Sequence, residues 1–355
     1  MANPLANDLD HVLDQVGPLW EDLRGARLFL TGGTGFFGCW LLESLLWADD
    51  RRRLGVEVVV LPRSPGAFAR KAPHLAGHRA VRLYEGDVRD FADPEGTFSH
   101  VIHAATEANA ALNAEAPRVM FDTIVEGTRR TLDLAQRSGA SRFLLTSSGA
   151  VYGRQPAELT HVGEDYPGAP DPTDPRSAYG EGKRVAEHLA TLAYHAHGLG
   201  AVIARSFAFV GPYLPLDIHF AVGNFVRDAL AGGPVRVAGD GTPYRSYQYA
   251  ADLMVWLWSI LLRGVPGRPY NVGSEEALTI GDVARRVAAS EGVAWVVDRE
   301  PIAGAPATRY VPSTARARDE LGLRCSIGFD DAIARTVRWH RNRDLIDRPS
   351  PSLAP

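Results

Sequence analysis

Short runs of apolar, β-type residues recur along the N-terminal part of the chain, at Arg27–Leu30, Val56–Leu61, Ala80–Tyr84, His100–His103, Arg142–Leu145 and Ala201–Ala204. Between them, Gly38–Ala48, Pro117–Ser138 and Tyr179–His197 carry apolar residues at helical spacing. Strands that are apolar throughout, and not alternately polar, belong to sheets covered on both faces, and their alternation with helices points to parallel pairing. The pattern therefore predicts a doubly wound α/β domain over residues 25–205. After about Arg205 the rhythm changes to a Gly- and Pro-rich stretch, a helix around Phe220–Ala231, and short strands and helices up to Trp339. This region, residues 206–342, reads as a smaller C-terminal α/β substrate-binding lobe, with 246–270 returning to the first domain. A polar amphipathic helix around Asp8–Leu23 makes residues 1–24 an N-terminal extension. Residues 343–355, with Pro349, Pro351 and Pro355, read as a flexible tail.

Composition narrows the class without naming a function. The 355 residues are 45% hydrophobic and 23% charged, with a formal net charge of −4, so nothing draws the chain as a whole to nucleic acid. The most apolar stretch, Leu253–Leu262, is about half the roughly 20 residues that span a bilayer, and reads as a buried helix. No leader pattern opens the sequence, and Cys39 and Cys325 are the only cysteines, too few for a disulfide framework and without metal-ligand spacing. The expectation is a cytoplasmic protein with no membrane partner and no metal.

The strongest chemical signal is Thr31-Gly32-Gly33-Thr34-Gly35-Phe36-Phe37-Gly38, directly after one apolar run and directly before a helical one. In that setting Gly32 permits a tight turn, Gly35 lets the backbone approach a pyrophosphate, and Gly38 allows close packing of helix on sheet, as in a Rossmann-type dinucleotide fold. About 20 residues further on, such a fold normally offers the adenosine ribose a carboxylate, whereas this chain reads Val60-Leu61-Pro62-Arg63-Ser64. The missing acid and the Arg63-Ser64 pair favour NADP over NAD, the alternative for Arg63 being a solvated loop cation. Asp87, next to Val88, is placed either to accept from the adenine amino group or to cap a turn. Ala104 and Ala105, at the next strand end, complete the expected cofactor contacts, and His103 beside them reads as structural.

Two further segments carry reactive groups: Thr146-Ser147-Ser148-Gly149-Ala150-Val151-Tyr152-Gly153 at a strand end, and Ser177-Ala178-Tyr179-Gly180-Glu181-Gly182-Lys183. Four residues apart on a helix, Tyr179 and Lys183 share a face. A phenol of pKa about 10 is a poor base near neutrality unless a neighbouring cation stabilises its phenolate, and Lys183 supplies one.

The glycine loop, the serine-bearing strand end and the Tyr/Lys helix, in this order, resemble the extended short-chain dehydrogenase/reductase family, in its sugar-nucleotide epimerase/dehydratase branch, over roughly Arg27–Trp339. The resemblance implies that Tyr179 is the proton acceptor and donor. It also implies that Lys183 binds the nicotinamide ribose and lowers the tyrosine pKa, and that Ser148 hydrogen-bonds the reacting hydroxyl. It implies a tightly bound NAD(P) and a homodimer built on the helices Pro117–Ser138 and Tyr179–His197. In the second lobe Gly223-Asn224-Phe225-Val226, Gly239-Asp240-Gly241, Arg245 and Tyr249–Asp252 resemble the part that holds the nucleotide diphosphate, with Asn224 and Arg245 as ligands. Arg309 is placed for the same anion or for a surface ion pair.

Departures from the family bear on the reaction. Dehydratases of this type place Asp-Glu after the catalytic Ser/Thr, and decarboxylases keep the Glu, but this chain has Gly149-Ala150, neither of which transfers a proton. Ala208 stands where Asn often contacts the sugar, and Ile124 where Asn lies near the cofactor. The segment around Asn224 and Arg245 looks closest to decarboxylases and the Ser-Gly-Ala strand end closer to 4-epimerases. The reading adopted is an enzyme that oxidises C4 of a nucleotide-sugar, in the form of a 4-epimerase, with dehydratase, decarboxylase and 4-ketoreductase chemistry as alternatives. A non-catalytic NADP-binding protein is the rival of another class.

Overall fold

The computed structural model describes residues 3–106, 110–217 and 221–347. Its first part contains α1 (Ala6–Val16), β1 (Arg27–Thr31), α2 (Phe36–Arg52), β2 (Glu57–Leu61), α3 (Pro65–Lys71), α4 (Pro73–Ala76), β3 (Val81–Leu83), β4 (His100–His103), α5 (Ala110–Glu115), α6 (Pro117–Arg137), β5 (Arg142–Ser148), α7 (Ala178–His197) and β6 (Gly200–Ser206). There follow β7 (Phe209–Val210), α8 (Ala221–Leu230), β8 (Val235–Val237), β9 (Tyr244–Arg245), β10 (Gln248–Tyr249), α9 (Ala250–Arg263), β11 (Pro269–Val272), β12 (Leu278–Thr279), α10 (Ile280–Glu291), β13 (Trp295–Val297), β14 (Arg309–Tyr310), α11 (Ala315–Leu321) and α12 (Phe329–Asp347).

Seven strands form one parallel sheet in the order β11-β6-β5-β4-β1-β2-β3. Period-2 alternation divides each strand between two cores. Leu28, Leu30, Val58, Val60, Ile102, Leu144 and Val202 pack on the side of α2 and α9, while Phe29, Val59, Val101, Phe143, Leu145 and Ile203 pack on the side of α6 and α7. This two-sided burial is why the strands read as continuous apolar runs. The order reverses between β1 and β4, and ligands of open α/β sheets bind outside the carboxyl ends of the strands at such a switch point.

Several boundaries differ from the sequence expectation. β5 and β6 run on to Ser148 and Ser206, which carries both serines to the sheet's carboxyl edge in register with each other. The predicted N-terminal helix stops at Val16, where Gly17 takes φ 58° ahead of Pro18, and the chain continues as a 3₁₀ turn over Gly17–Leu23. This extension is docked: Asp8 accepts from Tyr249 Oη at 2.6 Å and pairs with Arg335, and Trp20 lies 5.2 Å from Trp258. At the other end the expected tail begins too early, because α12 continues to Asp347 and the first proline comes only at Pro349. The rest of that tail lies outside the described residues. No described helix is long and apolar enough to cross a membrane.

β4 buries two imidazoles. His103 sits between Thr31 Oγ1 at 2.8 Å and Thr128 Oγ1 at 3.1 Å, and burial holds its pKa down at about 3; burial likewise lowers His100 to about 4. Between these values and the ordinary 6.5, the unfolded chain binds a proton on each ring that the folded chain excludes. Stability from these two groups is therefore complete above about pH 6.5 and drains away as pH falls, down to about 4 for His100 and about 3 for His103, by up to about 1.4 kcal/mol per unit for each ring. Urea midpoints measured across that range should fall with acid, and His103→Gln should flatten the slope; an unchanged slope in the variant would contradict the assignment.

Candidate active site

The glycine loop is shaped by contact more than by freedom alone. Gly32 has φ 71°, and a Cβ there would lie 2.3 Å from the Ala104 carbonyl oxygen, so the turn packs on the backbone that follows β4. A Cβ at Gly38 would lie 2.3 Å from Gly32 O, which fixes the first turn of α2 against the loop. α2 starts at Phe36 behind an exposed Gly35 that offers no side-chain cap, leaving the first-turn N–H groups open to an anion. Lys71 Nζ donates to Thr34 O at 2.6 Å and steadies the loop from α3.

At the end of β2, Arg63 and Ser64 are both exposed, and Ser64 Oγ caps α3 by accepting from Ala67 N at 3.3 Å. Asp87 caps a turn through Arg89 N at 2.9 Å; its carboxyl is held below the usual range by the Arg89 side chain, with a smaller contribution from Arg63. Val88 is buried against Gly127, where an added Cβ would meet it at 3.0 Å. Asp87, Arg63 and Arg89 thus share one corner of the crevice beyond β2 and β3.

Tyr179 is the second residue of α7, its N–H held by Asn113 Oδ1 at 3.1 Å. One turn on, Lys183 is 3% exposed and donates from Nζ to Thr146 O at 2.7 Å and Thr106 Oγ1 at 2.9 Å, with the Tyr179 ring centroid 5.9 Å away. An ammonium has three donors, so one N–H remains for a ribose hydroxyl. Burial pulls Lys183 down to about 7, opposed by the Glu187 carboxylate. Burial pushes the Tyr179 phenol up, and a hydrogen bond with Ser148 draws it back. Ser148, at the end of β5, accepts from Ala150 N at 3.2 Å. Open N–H groups at a helix start, a spare lysine donor and a glycine turn without room for side chains fit a dinucleotide with its nicotinamide end near Tyr179.

Behind this group lies a buried ion pair that sequence reasoning did not single out. Glu187, one turn beyond Lys183, pairs with Arg205 at 2.7 Å and accepts from Ser147 Oγ at 2.5 Å. Arg205 also donates to Tyr152 Oη at 2.9 Å, and Tyr152 donates to Asn271 Oδ1 at 2.7 Å. The network ties β5, β6, β11 and α7 together under the site.

The second lobe contributes Arg245 and Tyr310, paired in register on β9 and β14. The Arg245 guanidinium lies 5.9 Å from the Tyr310 ring centroid, and Tyr310 Oη is 3.3 Å from Ser148 Oγ. Arg309 is on the opposite face of the strand, stacked 4.1 Å over Tyr244, so the structure does not bring it to the Ser148–Tyr179 group. Asn224, on α8, accepts from Arg227 Nη1 at 3.2 Å. The signal for Tyr310 was present in the alternation of a strand, but a two-residue strand is too short to show which neighbour faces inward. Among the described residues, no cluster of three or more His, Cys, Asp or Glu is placed to hold a metal ion.

With this geometry in view, residues 28–273 match the NAD dependent epimerase/dehydratase family. The chain belongs to that family. It is 32% identical to a UDP-glucuronic acid decarboxylase 1 of Arabidopsis thaliana, over 95% of this chain and 74% of the relative. It is 30% identical to a dTDP-glucose 4,6-dehydratase of Streptomyces antibioticus, over 93% of this chain and 98% of the relative. Among solved structures it resembles DesIV, a dTDP-glucose 4,6-dehydratase of Streptomyces venezuelae with NAD and TYD bound: the TM-score is 0.76 at 27% identity, covering 90% of this chain and 98% of that one. The chain is thus an extended short-chain dehydrogenase/reductase of the sugar-nucleotide branch, with the fold its motifs implied.

Within this epimerase/dehydratase framework the sequence departures acquire physical reasons. A Cβ at Gly149 would lie 2.7 Å from Phe207 Cζ and 2.9 Å from Tyr310 Oη, so those two rings, themselves 4.7 Å apart, occupy the space of an acid side chain. Ile124 is fully buried and meets Gly182 where α6 crosses α7, a cofactor-side position given over to helix packing. Ala208 is half-buried, and its carbonyl accepts from Gln248 N at 3.0 Å.

Proposed function

We propose that the protein is a nucleotide-sugar 4-epimerase acting through a transient 4-keto sugar. The observation that carries this reading is the filled space over Gly149 beside an intact Tyr179, Lys183 and Ser148 group. Oxidation and reduction at C4 need those three residues alone, whereas removal of water across C5 and C6 needs a further acid and base. Tyr179 takes the C4 hydroxyl proton and later returns it, Ser148 hydrogen-bonds the same oxygen, and Lys183 holds positive charge beside the phenolate. A nicotinamide held by Lys183 and the glycine loop would supply the acceptor for the C4 hydride and the donor for its return. Gly32, Thr34, Gly35, Phe36, Phe37, Gly38, Ala104 and Ala105 line the cofactor, and Asn224 and Arg245 hold the substrate's diphosphate.

A second reading, decarboxylation of a nucleotide-linked uronic acid, draws support from the identity to UDP-glucuronic acid decarboxylase. A 4-keto uronate is a β-keto acid, which loses carbon dioxide without a dehydrating acid pair. Incubation with a panel of nucleotide-sugars in deuterated water, followed by mass spectrometry and isomer-resolving chromatography, separates the readings. An isomer of unchanged skeleton is the expected product; loss of water or carbon dioxide would overturn the epimerase reading.

NADP is the cofactor this reading favours, because β2 ends without an acid and exposes Arg63 beyond it. Arg63→Ala should weaken NADP binding about tenfold or more and leave NAD binding nearly unchanged, as read by calorimetric titration; equal losses for both would remove Arg63 from the 2′-phosphate. A homodimer through α6 and α7 fits the exposed Val119 and Leu192 on those helices, and sedimentation equilibrium reads it directly. A cytoplasmic site of action fits two cysteines that form no disulfide.

A further inference from the structure

We infer that Asn113 is a positioning residue for Tyr179: its side-chain amide, reaching over from α5, caps the first turn of α7 and sets where the phenol stands. No motif in the chain assigns a role to Asn113, and the inference rests on the reading of Tyr179 as acid/base.

The first turn of α7 is weak by composition. It reads Ala178-Tyr179-Gly180-Glu181-Gly182, and both glycines are poor helix formers. Ser177, just before it, is of a type that often caps a helix. At φ −75° and ψ −7°, however, it already has helical backbone, and its side chain makes no capping bond. Tyr179 N–H is one of the first-turn donors, which have no acceptor within their own helix. The cap comes from outside: Asn113 Oδ1 accepts from Tyr179 N at 3.1 Å. The same amide donates from Nδ2 to Arg176 O at 2.8 Å.

Together the two bonds decide where the helix starts. Ahead of α7 the chain runs as a 3₁₀ turn over Pro175–Ser177, in which Ser177 N donates to Asp174 O at 2.9 Å and Ala178 N to Pro175 O. The next bond of that series would join Tyr179 N to Arg176 O. The Asn113 amide stands between these two groups and satisfies both, so the 3₁₀ turn gives way to the α-helix at the residue that carries the phenol. A primary amide offers an acceptor and a donor side by side, whereas a carboxylate can only accept. Lys183, one turn on, has its own anchors in Thr106 Oγ1 at 2.9 Å and Thr146 O at 2.7 Å. Asn113 therefore sets the place of the phenol relative to a lysine that is fixed separately. A misplacement of about 1 Å in a reacting group can cost about 10²-fold in rate, and this one leaves the glycine loop and Arg245 untouched.

The test is residue-resolved amide hydrogen exchange along α7 in the full chain with its nicotinamide cofactor bound, joined to turnover of whichever nucleotide-sugar the panel identifies. Asn113→Ala should speed exchange at Tyr179 about fivefold or more and leave Lys183 and the later amides of α7 unchanged. Asn113→Leu, nearer the original volume, serves if the alanine variant does not fold. Asn113→Asp keeps an acceptor for Tyr179 N–H and should return its exchange to the parent rate. In turnover, Asn113→Ala should lower kcat about tenfold with KM unchanged, and in a Tyr179→Phe background it should cost nothing further. Unchanged exchange at Tyr179, a uniform rise along the whole of α7, or an equal loss of rate with and without the phenol overturns the proposal. No sugar enters the exchange measurement. A parent protein that turns over no nucleotide-sugar therefore sinks the proposed function, while faster exchange confined to Tyr179 still upholds the cap.

Discussion

Tyr179→Phe is expected to slow nucleotide-sugar oxidation, followed as reduction of the bound nicotinamide, by about 10²–10⁴-fold, with cofactor content unchanged. The substitution removes only the phenol oxygen. The ring stays beside Lys183, whose Nζ remains anchored by Thr106 and Thr146. What is lost is the phenol oxygen proposed to take the hydroxyl proton as hydride leaves; Ser148 is a far weaker base, and positions 149 and 150 are Gly and Ala. Arg245 and the glycine loop are untouched, so the loss should appear in the rate of the chemical step and not in the affinity for a nucleoside diphosphate. A variant that oxidises substrate as fast as the parent would remove Tyr179 from the mechanism. A parent protein that retains cofactor and oxidises none of a broad panel would favour the non-catalytic alternative.

The second large effect is one of stability. Glu187→Ala should cost about 3–5 kcal/mol in equilibrium unfolding, because it strands the Arg205 charge in the interior. The pair is buried on both sides, with side-chain exposures of 11% and 15%, and Glu187 also accepts from Ser147. Left alone, Arg205 keeps only the Tyr152 hydroxyl and the Glu164 carbonyl. Loss of the carboxylate also removes the group that holds Lys183 above the level burial alone would set, so the lysine should become more readily neutral and the site less able to stabilise a phenolate. Glu187→Gln separates the charge from the hydrogen bonding: it preserves an acceptor for Ser147 but removes the charge that faces Arg205 and Lys183. A denaturant series showing less than about 1 kcal/mol lost in Glu187→Ala would mean that water or rearrangement compensates Arg205.

These two effects differ in how far they were legible beforehand. Tyr179 and Lys183 could be read directly because helical period places residues four apart on one face wherever the helix lies. Glu187 lies a further turn along the same face, but a glutamate on a helix is usually solvated, and only the approach of β6 with Arg205 makes it a buried partner. The same limit applied at the chain's ends. Gly17-Pro18 marks a helix break in any context, whereas nothing local to Asp8 says that Tyr249 and Arg335 will close over it.

The sequence alone therefore determined the parallel sheet, the glycine loop and the Tyr179–Lys183 pairing, since each rests on a period or a turn within a few residues. The tertiary structure alone decided the surroundings: that Thr106 and Thr146 hold the lysine, that Arg309 faces away while Tyr310 reaches Ser148, and that Gly149 is a glycine because Phe207 and Tyr310 fill its space. Those contacts join residues from 37 positions apart, as between Thr146 and Lys183, to 162 apart, as between Ser148 and Tyr310. Their geometry depends on how whole strands and loops pack at the switch point, which no local pattern encodes.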